Sequence, residues 1–202
     1  LGSHTPRPQA PADSLASFQV HESVLNNVVQ RLELDGRTFT LPELGRHIAA
    51  RLSRPAPKDE NPDHDDVLIM FAPKNAVRVR CIDGRIEITV SIAKLAKESR
   101  SWKDFQVRAF YRPEVNGRSA ELARDGVIEL SGRRLNTGAQ IVLRGVFSRA
   151  FSKTTPWKLT PERLLTDPAL ADTSITQFVV DDGWIGVALA ARRTAARPTV
   201  QR

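Results

Sequence analysis

Residues 76–92 (AVRVRCIDGRIEITVSI) constrain the fold of this chain more than any other stretch. Apolar and polar residues alternate on both sides of Asp83-Gly84, as they do in two half-buried strands joined by a tight turn. Asp-Gly suits a type I′ turn, whose central residues both need positive φ. A two-residue loop there sets Cys81 opposite Ile86, Val79 opposite Ile88 and Val77 opposite Val90. It also sets Arg80 against Glu87 on the other face. Both faces agree on one register, so the hairpin is expected to carry one apolar and one arginine-rich face.

The pattern continues. Phe105, Val107, Ala109 and Tyr111 alternate with Gln106, Arg108, Phe110 and Arg112, and Asn116-Gly117 reads as the next turn, which would place Tyr111 opposite Leu122. A third turn is expected at Arg124-Asp125-Gly126, with Gly126 left-handed and Leu122 paired with Ile128. Pro113 is expected near a strand end, where a missing N–H does least harm. Lys94–Lys103 reads as a helical turn or loop between hairpins, and Ser131–Gly138 as a loop. Ala139–Arg144 reads as a strand, with a helical turn or short helix after it carrying Val146, Phe147, Ala150 and Phe151. Val67–Phe71 (VLIMF) reads as a fully buried strand. A final hairpin pairs Ser174–Val180 with Trp184–Ala190 across Asp181-Asp182-Gly183.

Two helices precede the sheet. Val24, Leu25, Val28, Val29 and Leu32 form an apolar stripe at helical spacing, with Asp35-Gly36 as the stop. A second helix is expected over Leu41–Leu52: Thr40 and Glu43 suit a capping box, Pro42 the first turn, and Leu44, Ile48 and Leu52 an inward face. Together they are expected to form a helical hairpin covering the apolar face of the sheet. Thr160-Pro161-Glu162 reads as another helix start. Residues 1–16 are rich in Pro, Ala and Ser and read as a disordered linker, residues 17–190 as one domain, and residues 191–202 as a basic disordered tail. Starting with Leu rather than Met, the chain is expected to be a processed product or a fragment. Envelope, periplasm and cytoplasm all remain open as its location.

The residues that carry chemistry are sparse. Cys81 is the single cysteine, so no intrachain disulfide forms, and its place on an apolar strand face suits a small buried hydrophobe. His4, His21, His47 and His64 have no metal-type partners at helical spacing, and no HExxH, CxxC, GxSxG, Walker A or GxGxxG pattern occurs. The acidic segment 55–66 (PAPKDENPDHDD) has ligand types that suit a hard cation but lacks the spacing of a calcium loop, so no metal and no cofactor are expected. A net charge of +7 invites a nucleic-acid reading. Against it, the arginines are spread along outward strand positions rather than clustered with aromatics; Arg78, Arg80, Arg108 and Arg112 are the positions from which a positive stripe would be built. No run of ~18 apolar residues suggests a membrane span.

Three segments carry a family resemblance: His21–Asn27 (HESVLNN) with Gly36–Thr40 (GRTFT), Gln140–Arg144 (QIVLR), and Asp181–Ile185 (DDGWI). Together they resemble the C-terminal domain of an uncharacterised paralogous family of planctomycete-type bacterial proteins, which brings no activity with it. More weakly, Glu22-x-x-Leu25-Asn26 before long antiparallel strands resembles tubular lipid-binding (TULIP-like) domains. That likeness implies a curved sheet wrapped round a helix, with lipid in the apolar gap.

The expected fold is α+β: a curved antiparallel sheet of about six to eight strands with the N-terminal helical hairpin on its apolar face. The expected function is a non-enzymatic binding module for a hydrophobic or lipid-like ligand, with Leu25, Val29, Ile88, Val90, Phe105, Val107 and Trp184 nearest it. The alternatives are a structural or protein-interaction domain of a larger envelope-associated protein without a small ligand, and a basic nucleic-acid-binding surface.

Overall fold

The computed structural model describes residues 6–52, 67–151, 153 and 156–192. The acidic segment 55–66, with the cation-ligand reading attached to it, and the tail from residue 193 lie outside the described residues.

The frame is a curled antiparallel sheet of seven strands: β2 (Thr38–Thr40), β3 (Val67–Phe71), β4 (Val77–Ile82), β5 (Arg85–Lys97), β6 (Arg100–Asn116), β7 (Ser119–Ser131) and β8 (Trp157–Lys158). Six of them follow the path β2-β3-β5-β6-β7-β8, while β4 shares with β3 the outer edge of β5. A separate three-stranded sheet, β1 (Ala16–His21), β10 (Trp184–Ala191) and β9 (Thr173–Asp181), lies over part of its inner face. Helices α1 (Glu22–Gln30), α2 (Leu41–Arg51), α3 (Thr137–Ala150) and α4 (Glu162–Thr166) complete an α+β architecture.

The β4–β5 hairpin has the register that its alternation dictates: Cys81 opposite Ile86, Val79 opposite Ile88, Val77 opposite Val90 and Arg80 opposite Glu87. Asp83 and Gly84 have φ of 50° and 72°, the pair of left-handed residues that a type I′ turn requires. The last hairpin likewise forms, Val180 pairing with Ile185 around Asp182-Gly183.

Elsewhere the strands are longer than the turn signals suggest. Lys94–Lys103 is neither loop nor helical turn: β5 and β6 run through it and turn at Glu98-Ser99, with Lys97 opposite Arg100. There is no third hairpin at Asp125-Gly126. β7 continues through it, and left-handed Gly126 (φ 74°) serves a bulge between the pairs Phe110–Asp125 and Arg108–Glu129. The β6–β7 turn centres on Gly117-Arg118, so Tyr111 faces Arg124 and Leu122 faces Pro113. Pro113 itself lies inside β6, just past Tyr111, the last residue paired with β5, where its missing N–H leaves that ladder intact. In β3 only Val67, Ile69 and Phe71 are buried; Leu68 and Met70 point outward.

The largest departure is at residues 139–144, which are helical, not extended. Ala139, Leu143 and Phe147 stand four residues apart, all are buried, and Asn136 Oδ1 caps the helix by accepting from the Ala139 N–H at 2.8 Å. Phe147 meets Phe105 edge to face, with ring centroids 6.2 Å apart.

Nor are α1 and α2 a simple helical hairpin, since β2 intervenes and pairs with β3. α2 begins with the expected capping box: Thr40 Oγ1 accepts from the Glu43 N–H, and Glu43 Oε2 accepts from the Thr40 N–H at 2.8 Å. It is tied back to the end of α1 by His47 Nε2 on the Leu32 carbonyl at 2.6 Å and by an Arg51–Glu33 ion pair.

α1 instead seals the free edge of β4. Asn26 acts as a surrogate strand residue, donating from Nδ2 to the Val79 carbonyl (2.8 Å) and accepting on Oδ1 from the Val79 N–H (2.9 Å). Glu22 Oε2 accepts from the Cys81 N–H, and the Gly183 N–H donates to the Cys81 carbonyl, each at 2.8 Å. An open edge is a pairing hazard, and side chains of α1 satisfy it here. Gly183 permits this junction: its φ is +82°, and a Cβ there would sit 2.9 Å from His21 Nε2.

Residues 6–15, within the stretch expected as linker, run against the small sheet. Gln19 Nε2 donates to the Pro8 carbonyl at 2.8 Å and the Leu15 N–H donates to the Leu189 carbonyl at 2.8 Å.

Candidate functional site: an apolar cavity between sheet and helices

The inner face of the large sheet is covered in two places. At one end Ile92, Leu95, Phe105, Val107 and Ile128 pack against Leu143 and Phe147 of α3 and against β2 and β3. At the other, Val79, Cys81, Ile86, Ala109 and Tyr111 pack beneath Val180 and Ile185 of the small sheet. Ile88 and Phe151 touch both clusters. Between them the covering elements part, leaving a cavity of about 850 Å³.

Its floor is the row of inward side chains on β4, β5 and β7, including Val79, Ile88, Val90, Ala120 and Leu122. α1 contributes Leu25, Val28 and Val29, and α2 contributes Leu44 and Ile48. The small sheet supplies Val20, Phe178 and Val187, and the segment from β8 to α4 supplies Leu159 and Leu164. Sequence patterning explains each contribution: period-two alternation gives the floor, and the stripes on α1 and α2 give one wall. Around the cavity Phe18, Val28, Leu52, Trp157, Leu159 and Leu164 remain exposed although large and apolar. Scattered single exposures are ordinary; these converge on one concavity.

The wall has little to offer water. The Thr160 hydroxyl accepts from the Ala120 N–H (2.9 Å) and donates to the Arg118 carbonyl (3.1 Å). Among the described residues Arg118 is the single charged side chain in the wall, and its Nη1 donates to the carbonyls of Leu164 (3.3 Å) and Asp167 (3.2 Å). A buried water needs about two to four polar partners, so this space favours apolar occupants.

The residues singled out in the sequence fall into three groups. Leu25, Val29, Ile88 and Val90 line the cavity together. Phe105 and Val107 belong to the closed core under α3 and are almost wholly buried. Trp184 packs on the far side of the small sheet's turn, its ring 5.0 Å from His21, with the Arg7 guanidinium 5.6 Å over it. Sequence reasoning missed Arg118, Ala120 and Leu122, because the expected turn at Asn116-Gly117 drew attention to register, and it missed the α4 wall. The signal for that wall was present in Leu159, Leu164 and Leu170, too widely spaced to read as one face.

The titratable groups nearby are held by packing. Burial pushes the Cys81 thiol up to about 12, and the Glu22 carboxylate pushes the same way, so the thiol stays protonated and weakly nucleophilic. Burial also raises the Tyr111 phenol to about 12, against the opposing pull of Arg124. Tyr111 stacks on Trp157 with centroids 4.4 Å apart; its hydroxyl and the Nε and Nη1 of Arg124 are buried without a protein partner among the described residues. Thr40 holds Glu43 below the usual carboxylate range through hydrogen bonds from its backbone N–H and its hydroxyl. Among the described residues no three His, Cys, Asp or Glu side chains are grouped as a metal site would need.

On the outer face the arginines are interleaved with acids. Arg108 lies 3.7 Å from Glu87 and 3.4 Å from Glu129, and Asp125 lies 3.1 Å from Arg112 and 3.9 Å from Arg85. Arg78 and Arg80 border a polar depression of about 690 Å³, together with Lys74, Asp35 and Glu87. No described helix is long and apolar enough to cross a membrane. Compared with family models, curated proteins and solved structures, the chain matches none.

Proposed function

We propose that this protein is a non-enzymatic binding module that holds a hydrophobic, lipid-like ligand between its helices and the inner face of its curled sheet. The observation that carries the reading is the apolar cavity of about 850 Å³, with Leu25, Val29, Ile88 and Val90 in its wall. Its volume falls within the ~300–1,000 Å³ range of small-molecule sites. A chain of about twelve methylenes moved from water into such a space contributes about 10 kcal/mol. That is on the scale of a micromolar-to-nanomolar complex once association costs are taken off. The reading is also the one that the sequence likeness to tubular lipid-binding domains implies.

Native mass spectrometry of the purified chain, paired with organic extraction, tests it. The expected result is a mass increment of one apolar molecule that extraction removes. A chain that carries no such molecule and takes up none from mixed lipids would leave the structural or protein-interaction role in its place.

A further inference from the structure

Among the described residues the cavity wall is apolar but for Thr160 and Arg118, and Arg118 alone of these is charged. The inward row of β7 starts Ala120, Leu122, and Arg118 stands two residues before Ala120. It lies in the β6–β7 turn, where α4 approaches. No carboxylate among the described residues lies within ion-pair distance of it; Nη1 alone is engaged, by the carbonyls of Leu164 and Asp167. Those two bonds hold the guanidinium at the cavity wall and leave Nε and Nη2 without a protein acceptor among the described residues. A guanidinium offers five N–H donors in a fixed fork matched to a carboxylate or phosphate. Arg118 thus stands in the wall of the apolar cavity with no described carboxylate beside it, whereas Arg85, Arg108 and Arg112 on the outer face lie beside Glu87, Asp125 and Glu129.

We infer that the ligand is an anionic amphiphile, its acid head seated on Arg118 and its chain running over Ala120, Leu122 and Ile88 towards α1 and α2. This rests on the apolar-ligand reading above and adds the head-group chemistry. An uncharged chain would fill the same space but leave the guanidinium's free N–H groups facing it. An acid supplies the acceptors, and because Arg118 is only half-buried, solvent weakens the pair towards the lower end of the charged hydrogen-bond range. Head groups carrying carboxylate or phosphate share this chemistry.

The test compares dodecanoate, dodecyl phosphate and dodecan-1-ol, which have one chain length and differ in the head, on the full 202-residue chain. The wild type is expected to bind at least one of the two acids about tenfold or more tighter than the alcohol. Arg118→Gln is expected to abolish that preference, acid and alcohol then binding alike in the same variant, and Arg118→Lys to keep part of it. Binding of the alcohol also reports whether the cavity survives, since Arg118 helps to hold α4. If Arg118→Gln does not fold, a salt titration of the wild type stands in: acid affinity should fall with ionic strength and alcohol affinity should not. Equal affinity for acid and alcohol would overturn the inference, and so would a preference lost in Arg124→Gln but kept in Arg118→Gln. Failure of the wild type to bind all three would instead remove the apolar-ligand reading beneath it.

Discussion

Two stretches of one strand face meet different fates. On β5, Leu95 is buried in the cluster that α3 covers and Ile92, at the border of the cavity, is buried with it, while Ile88, four residues from Ile92 on the same face, stays half-buried in the cavity wall. The residues are alike, and so are the strand and the alternation. What differs is the cover. α3 lays Leu143 and Phe147 onto the sheet, whereas α1 is drawn aside to seal the edge of β4 through Asn26 and Glu22. A helix committed to a sheet edge cannot also plug the sheet face, and the gap follows from that division of labour.

Substitutions at the two places should therefore differ in kind. Phe105→Ala at the closed end removes a buried ring packed on Phe147 and should cost about 3–5 kcal/mol in urea unfolding. If it costs under about 1 kcal/mol, the closed end is not closed. Asn26→Ala deletes both bonds to the β4 edge and leaves the Val79 backbone groups to find other partners. The expected loss is about 1–3 kcal/mol, measurable by the same method, with faster amide exchange at Val79 as its local signature.

Alkaline pH probes the covered end under the small sheet. The Cys81 thiol and the Tyr111 phenol are each raised to about 12, from 9.0 and 10.0. Below pH ~8 both are protonated folded or unfolded and contribute almost no pH dependence. As pH rises from there towards 12, the unfolded chain releases protons that the folded chain keeps, so stability is lost. The urea midpoint should fall between pH 8 and 10.5, and Cys81→Ala should flatten the early part of that fall. A midpoint independent of pH over this window would mean that these groups are not sequestered. The smallest effect is expected at the cavity wall, where Val29→Ala should cost less than about 1 kcal/mol, because Val29 is only half-buried at the margin of the cluster.

The same contrast explains what the sequence made legible. Period two around Asp83-Gly84 specified the β4–β5 register pair by pair, because a one-residue slip would have put Cys81 and Ile86 into solvent. Glycine at 126 and the alternation around it suit a hairpin, yet a left-handed glycine also serves a bulge, and only the long partner strand β6 decides between them. At 139–144 a short apolar run fitted either period, and the spacing of Ala139, Leu143 and Phe147 was the better guide. Of the expected ligand residues, Leu25, Val29, Ile88 and Val90 reached the cavity. Phe105 and Val107 share their face and pattern but sit under α3, which sequence periodicity does not place. Which residues face inward was readable; which inward residues stay uncovered was not, since that depends on where distant elements dock.

The claim that the gap is a ligand site rather than a packing remnant is tested most directly by filling it. Ile88→Trp places an indole in the cavity between the two clusters. Wild type and variant would be titrated with the uncharged fluorescent probe N-phenyl-1-naphthylamine, with circular dichroism to verify folding. The account predicts saturable binding of one probe per wild-type chain and its loss in the folded variant. Equal binding by both, or no saturable binding by the wild type, would contradict it.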